Sequence, residues 1–442
     1  MQLSNPRAAA VDALLRIEKG VMISDALDDV LNAYHLSGLD RGLAVEIVYG
    51  TVRMQKAIDY ALNTISRIKT DTMEPRIRSI LRAGAYQILY LSRVPVSAAV
   101  NEAVKLVPAR DRRRTGGYVN AVLRNLIRKL ESIEFPDLSE DPVRHIAVKY
   151  SHPEWVIKRW LSRYGLEHTI RFCQINNTSP ELHVRVNTLK VSTEQFQDYL
   201  AEQGLRAEKG RFAPDILYVS RPFNPAADPG FDQGWYYIQN ESSAMVAHAL
   251  APVPGETVYD LCAAPGGKAT HLAQLMQNRG RIIAVDQTEE RVALIDENAA
   301  RLGITIIKSL TGDAAAMKLP AADKVLVDAP CSGLGVLRHR PDARWRRREQ
   351  DLHSLAELQR RIMANAAAMV KPGGTLVYST CTTEPEENQE VIHWFLQTHP
   401  SFSLAALPAW FPQSECVGML AILPFIHGID GFFICKLQNN QC

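Results

Sequence analysis

The chain has 442 residues, 46% of them apolar, 22% charged and 7% aromatic. At about 150 residues per domain this length allows two or three domains, and no apolar run approaches the roughly 20 residues that cross a bilayer, which excludes a membrane-spanning helix. The net charge of +2 is unevenly spread: residues 1–130 hold 20 Lys and Arg against 12 Asp and Glu, the remainder 30 against 36. The imbalance fits an N-terminal module that meets a polyanion, although solvated helix surfaces produce similar excesses.

The segment 1–20 turns polar and then helical, without the charged start, apolar stretch and cleavage site of a secretory leader. Seven cysteines, at 173, 262, 331, 381, 416, 435 and 442, include no C-x-x-C pair. Neither a disulfide framework nor a metal site is expected, and free thiols fit a reducing cytoplasm.

Residues 5–130 read as helix after helix, with Ile77, Ile80, Leu81, Gly84 and Ile88, then Val100, Ala103, Val104 and Val107, at helical spacing. Breaks are expected near 36–40, 70–75 and 94–95, and a basic run from Arg110 to Arg114 leads into Thr115-Gly116-Gly117. Within that run Arg112 and Arg113 are candidate phosphate contacts. The acidic, proline-containing stretch 132–142 reads as a linker. It suggests a helical domain at 1–135, a small α+β module at 143–233 and a third domain at 234–442.

The small module shows a helix from Glu154 to Tyr164 and strands at Leu182–Val186 and Ile216–Val219. Beyond 255, β-rich runs at Thr257–Leu261, Arg281–Val285, Ile304–Lys308, Lys324–Val327 and Thr375–Ser379 alternate with helical stretches. That rhythm predicts an α/β fold with a mostly parallel, doubly wound, Rossmann-like sheet. The runs Met419–Pro424 and Phe432–Leu437 suggest two closing strands forming an antiparallel edge.

In such a sheet ligands sit beyond the carboxyl ends of the strands, where the unusual motifs fall. The first strand leads into Asp260-Leu-Cys-Ala-Ala-Pro-Gly-Gly-Lys268, a small-residue turn opening a helix, and Asp286 closes the next strand. An acidic residue there can accept hydrogen bonds from a ribose hydroxyl pair. The turn is neither a Walker A loop, since Cys262 and Ala269 replace its first glycine and its Ser/Thr, nor the dinucleotide G-x-G-x-x-G. Asp313 follows the third strand. The fourth ends in Asp328-Ala-Pro-Cys331-Ser-Gly333 and the fifth in Ser379-Thr-Cys381, so two thiols emerge from one sheet edge. One such thiol would pass for a core residue; two beside a carboxylate and a ligand-type turn point to nucleophilic chemistry.

The motifs DLCAAPGGKAT (260–270), VD286, GD313, DAPCSG (328–333), STC (379–381), PEEN (385–388) and DGFF (430–433) resemble those of the S-adenosylmethionine-dependent RNA cytosine-5 methyltransferases. The helical N-terminal part is similar to the antitermination factor NusB. The resemblance implies S-adenosylmethionine as cofactor, with Cys262, Ala263, Ala264, Pro265, Gly266, Gly267 and Lys268 around its methionine part, Asp286 at its ribose, Asp313 at its adenine, and Asp328 between cofactor and base. It further implies Cys381 as nucleophile, Cys331 in product release, and Asp328 as acid or stabiliser at N3. The implied substrate is a cytidine of 16S ribosomal RNA, free or in an early assembly intermediate, and a monomer is expected because one chain can build the whole site.

Carbon 5 of cytosine is a poor nucleophile until a thiolate adds to carbon 6, which explains the need for a cysteine. The base must also leave its stack, so the protein needs a grip on opened RNA. Arg338, Arg340, Arg344 and Trp345, in the basic stretch after the Cys331 loop, combine charge with a stackable ring. The competing reading of that stretch is a solvated helix start. Asn240 stands where the family usually has Asp, and His339 where a second Arg is usual. A transfer RNA substrate, or a non-catalytic RNA-binding factor of the same fold, are the remaining alternatives.

Overall fold

The computed structural model describes residues 5–36, 38–220, 225–414 and 416–441; Cys442 lies outside them. None of the described helices is long and apolar enough to cross a membrane. The chain divides into two compact units, residues 1–179 with 337–349, and residues 180–336 with 350–442.

The first unit holds α1 (Pro6–Glu18), α2 (Ile23–Ala33), α3 (Gly38–Arg53), α4 (Gln55–Ile65), α5 (Pro75–Tyr90), α6 (Val96–Lys105), α7 (Gly117–Lys129), α8 (Pro142–Lys149) and α9 (Glu154–Asn176). Asn5 starts α1 by accepting from the Arg7 and Ala8 amides, with Pro6 setting the first turn. Ala10, Val11, Ile47, Ile58, Ile80, Leu81 and Leu123 fill the core. The expected breaks coincide with the gaps between helices.

The expected domain boundary at the linker does not separate these units. Tyr60 donates to the Glu134 carbonyl at 2.9 Å and stacks on Phe135, so the linker lies against α4. The Lys56 amide donates to Ser151 Oγ at 3.0 Å, and α8 and α9 group with the bundle. Helix α9 also outruns its expected end at Tyr164, continuing past a break at Gly165.

The second unit opens with an antiparallel sheet of order β2-β3-β1-β4. Its elements are β1 (Leu182–Val186), α10 (Thr193–Glu202), β2 (Ala207–Lys209), β3 (Ile216–Val219), α11 (Pro229–Asp232) and β4 (Tyr236–Ile238). The larger sheet is built from α12 (Glu241–Leu250), β5 (Thr257–Asp260), α13 (Gly267–Leu275), β6 (Arg281–Asp286), α14 (Glu289–Leu302), β7 (Ile307–Thr311) and β8 (Ala322–Asp328). After α15 (Ala343–Arg346), within the stretch that belongs to the first unit, come α16 (Asp351–Ala367), β9 (Val370–Thr380), α17 (Gln389–Thr398), β10 (Phe402–Leu404), β11 (Met419–Ile422), α18 (Pro424–His427) and β12 (Phe432–Asn439). Strand order is β10-β12-β9-β8-β5-β6-β7, with β11 also on β12. Strands β5 to β9 pair in parallel, and β12 runs antiparallel to β9.

Two strand expectations need correction. β12 is an inner strand, paired with β9 on one side and with β10 and β11 on the other; its run Phe432–Cys435 is apolar because both faces are buried. β7 starts at Ile307, not Ile304, because Ile304 is a buried residue of the turn that follows the left-handed Gly303.

Candidate active site

β5 ends on Asp260, fully buried, with neither carboxylate oxygen in a hydrogen bond of normal geometry. Burial, and then the nearby Asp328 charge, push its carboxyl up to about 7. The following turn requires Gly266, whose φ is +98°, and a methyl there would also stand 3.2 Å from Ile295 Cα. Helix α13 therefore starts directly on the turn, with its positive end at the sheet edge. Beneath it, the buried Arg185 donates to the Gly267 carbonyl at 2.6 Å and to Thr270 at 3.0 Å. Neither Arg185 nor Asp260 is among the site residues expected from the sequence: Arg185 lies in no motif, and Asp260 opens the 260–270 motif but is given no role there.

Asp286 ends β6 and ties the same turn down. It accepts from the Ala264 and Gln287 amides, each at 2.8 Å, and from Arg291 Nε at 2.5 Å. Burial works to raise its pKa, but the bonds from Arg291 and the two amides prevail and hold the carboxyl below its usual range. The Arg291 side chain is 54% exposed and also donates to the Ala264 carbonyl at 3.4 Å. Asp313 lies exposed after β7, accepting from the Ala315 amide at 2.9 Å.

At the end of β8, Asp328 accepts from Lys268 Nζ at 2.7 Å and from Ser379 at 2.8 Å. Lys268 also sits 5.3 Å from the Phe432 ring centre, which brings the DGFF motif to the site. The two thiols meet: Cys331 Sγ and Cys381 Sγ are 3.3 Å apart, each partly exposed. The hydrogen bond to Cys381, and then burial, push the Cys331 thiol well above its ordinary range. Burial likewise raises Cys262.

The PEEN motif explains how two loops hold their sulfurs together. Glu387 accepts from the Ser332 amide at 2.7 Å, from Ser332 Oγ at 2.5 Å and from Gln359 at 3.1 Å. Asn388 accepts from Thr380 at 2.5 Å and donates to the Thr382 carbonyl at 3.0 Å. One motif therefore grips the loop after β8 and the loop after β9. At Gly335, whose amide donates to the Cys381 carbonyl at 3.0 Å, a side chain would collide with the Gly431 carbonyl. Asn240 caps α12 and donates to Asp430, an arrangement that an aspartate would turn into carboxylate repulsion.

The basic stretch is corrected in part. Arg344 is fully buried and donates to the carbonyls of Arg53, Ser151 and Asn176 and to Asn177 Oδ1, at 2.9 to 3.3 Å. Trp345 is half-buried and donates to the Val52 carbonyl at 2.7 Å, and Arg338 is buried. These three side chains knit the first unit; Arg344 and Arg338 are buried away from RNA, and the Trp345 ring is only partly exposed. Arg340, Arg112 and Arg113 are exposed.

Family models match three stretches: 16S rRNA methyltransferase RsmB/F at 247–438, the NusB family at 4–128, and the ferredoxin-like domain of RsmF/B-like methyltransferases at 152–225. The chain is 41% identical to a probable ribosomal RNA small subunit methyltransferase B of Bacillus subtilis, covering all of both chains. The solved structure of PH0851 superposes with a TM-score of 0.83 at 30% identity, over 98% of each chain. A methyltransferase homolog from Pyrococcus horikoshii matches with a TM-score of 0.61 at 31% identity, over 67% of this chain and 99% of that one. With a relative this similar along its whole length and with this set of domains, the chain belongs to the RsmB/F family of 16S rRNA methyltransferases.

Proposed function

We propose that the protein transfers a methyl group from S-adenosylmethionine to carbon 5 of a cytidine in 16S ribosomal RNA, through a covalent bond between Cys381 and carbon 6. The observation that carries this reading is the pair of thiols, 3.3 Å apart, at the carboxyl ends of β8 and β9 beside the Lys268–Asp328 pair.

The residues around the α13 turn suit the cofactor. A fully buried carboxyl at Asp260 with no hydrogen bond of normal geometry, next to the positive end of a helix, fits a ligand with both a cationic and an anionic group. Residues 262–268 would hold its methionine part, Asp286 its ribose and Asp313 its adenine. When bound, S-adenosylmethionine supplies an electrophilic methyl group.

The Cys381 thiolate adds to carbon 6, and the carbon 5–carbon 6 double bond opens to make carbon 5 nucleophilic. Asp328, held by Lys268 and Ser379, keeps a proton at N3 and offsets charge in the ring. After methylation a base removes the carbon 5 proton, the double bond re-forms and the bond to Cys381 breaks. Cys331, next to the reacting sulfur, acts at this release step.

The test is transfer of labelled methyl to undermethylated small-subunit ribosomal RNA, with nucleoside analysis. Wild type should give labelled 5-methylcytidine, Cys381→Ala none, and Cys331→Ala a persistent protein–RNA adduct. Label from Cys381→Ala, or from wild type at another position, would sink the reading.

A further inference from the structure

Away from the thiols, three side chains from separate segments of the second unit converge. Asp215 precedes β3, His248 lies on α12 and His271 on α13. Asp215 Oδ1 is 3.1 Å from His248 Nε2, Asp215 Oδ2 is 2.5 Å from His271 Nε2, and one ligand-type atom from each lies within 4.8 Å of the others. Asp215 is 6% exposed, His271 not at all, and the His248 side chain 14%.

We propose that Asp215, His248 and His271 form a site for one divalent transition-metal ion of the Zn²⁺ class. Two imidazoles and a carboxylate are a donor set this ion takes, at about 2.0–2.2 Å per bond. Such bonds put neighbouring ligands about 3.3 Å apart in a tetrahedron, so separations within the trio, all under 4.8 Å, need to change by no more than about 1.5 Å. The competing account, an ion pair between Asp215 and a protonated His271, leaves more unexplained. His271 Nδ1, in a fully buried side chain whose Nε2 faces Asp215, has no hydrogen-bond partner, and neither has the buried Gln274 Oε1 on the same helix.

The groups around the trio are consistent with this. The Gln274 amide donates to Asp215 Oδ2 at 3.4 Å, and the His248 ring meets Trp410 edge to face at 5.3 Å. The buried Arg185 is a cation whose charge reaches both His271 and Asp215; it opposes a bound ion, and Asp215 is the carboxylate that offsets it. The ion would pin the loop before β3 to α12 and to α13, the helix that begins at the cofactor turn. The ligands are far apart in the chain, so no short-spaced motif announces them.

The experiment titrates Zn²⁺ into chelator-treated full-length protein against a chromophoric competitor, and repeats it with Co²⁺ to read the ligand type from the absorption spectrum. Expected are one ion per chain, a Co²⁺ spectrum without sulfur charge-transfer bands, and a higher Tm with Zn²⁺. His248→Ala, at the rim of the cluster, should weaken binding about 100-fold or more, beyond what loss of an outer-shell partner costs. The Cys331→Ser/Cys381→Ser double variant should keep the ion. Wild type binding no more tightly than His248→Ala, or binding lost only in the cysteine variant, would overturn the proposal. Because His271→Gln can fail to fold, the wild-type Tm shift and the rim variant carry the decision.

Discussion

Arg344 in the first unit and Asp260 in the second are both fully buried and both bear charge, yet they are treated in opposite ways. Arg344 gives hydrogen bonds to three carbonyls and an amide oxygen, whereas the Asp260 oxygens receive none of normal geometry. Burial lowers Arg344 to about 9, still charged at neutral pH, while it lifts Asp260 to about 7. A buried charge most of whose bonds are met by its own fold, all but Nε in Arg344, serves the fold. One left with no hydrogen bond of normal geometry at the mouth of a ligand-type turn marks a place where binding completes the structure.

Removing the satisfied charge should have the largest effect. Arg344→Ala leaves three buried carbonyls and the partly buried Asn177 Oδ1 without their donor and is expected to cost about 5 kcal/mol, seen as a lower denaturant midpoint for the full chain. Arg344→Lys should recover only part of this, since an ammonium cannot span the same acceptors. A destabilisation below about 1 kcal/mol for the alanine variant would show that water takes over the carbonyls.

Removing the unsatisfied charge should do the reverse. The Asp260 pKa rises from 3.8 unfolded to about 7 folded, so the folded chain holds a proton that the unfolded chain has lost. That contribution is complete below about pH 4 and disappears as pH rises through about 7, a swing of about 4 kcal/mol at most. Asp260→Asn should flatten the decline in stability between about pH 4 and about pH 7 while weakening cofactor binding. Glu387, also raised by burial, leaves a residual slope of the same sign. An unchanged profile in Asp260→Asn would separate this carboxyl from the pH response.

The smallest structural effect belongs to exposed charge. Replacing Arg112, Arg113 and Arg114 by alanine should leave Tm unchanged but reduce RNA affinity, with the salt slope falling by about 1 for each phosphate that these side chains neutralise. Equal affinity at low salt would remove this run from the RNA surface.

Much of the second unit was legible from the chain, because parallel strands buried on both faces read as apolar runs and their carboxyl ends carry the chemistry. Asp286, Asp328, Cys331 and Cys381 could be placed at strand ends for that reason. β2 and β4 were missed because three residues each give too little periodicity. Glu387 could be quoted as part of a motif, but its hold on Ser332 depends on a partner 55 residues away. The basic stretch shows the limit most clearly: Arg344 and Arg112 are the same residue type in similar company, one buried in carbonyls and the other in water.

Local pattern thus determined the helical N-terminal part, the mostly parallel direction of the main strands and the residue types at their ends, since these follow from periodicity and turn chemistry along the chain. The tertiary structure alone decided which charges are exposed, which thiols touch and which carboxyl is left without a partner. Those properties depend on groups far away in sequence competing for the same space and the same hydrogen bonds, and no single segment encodes that competition.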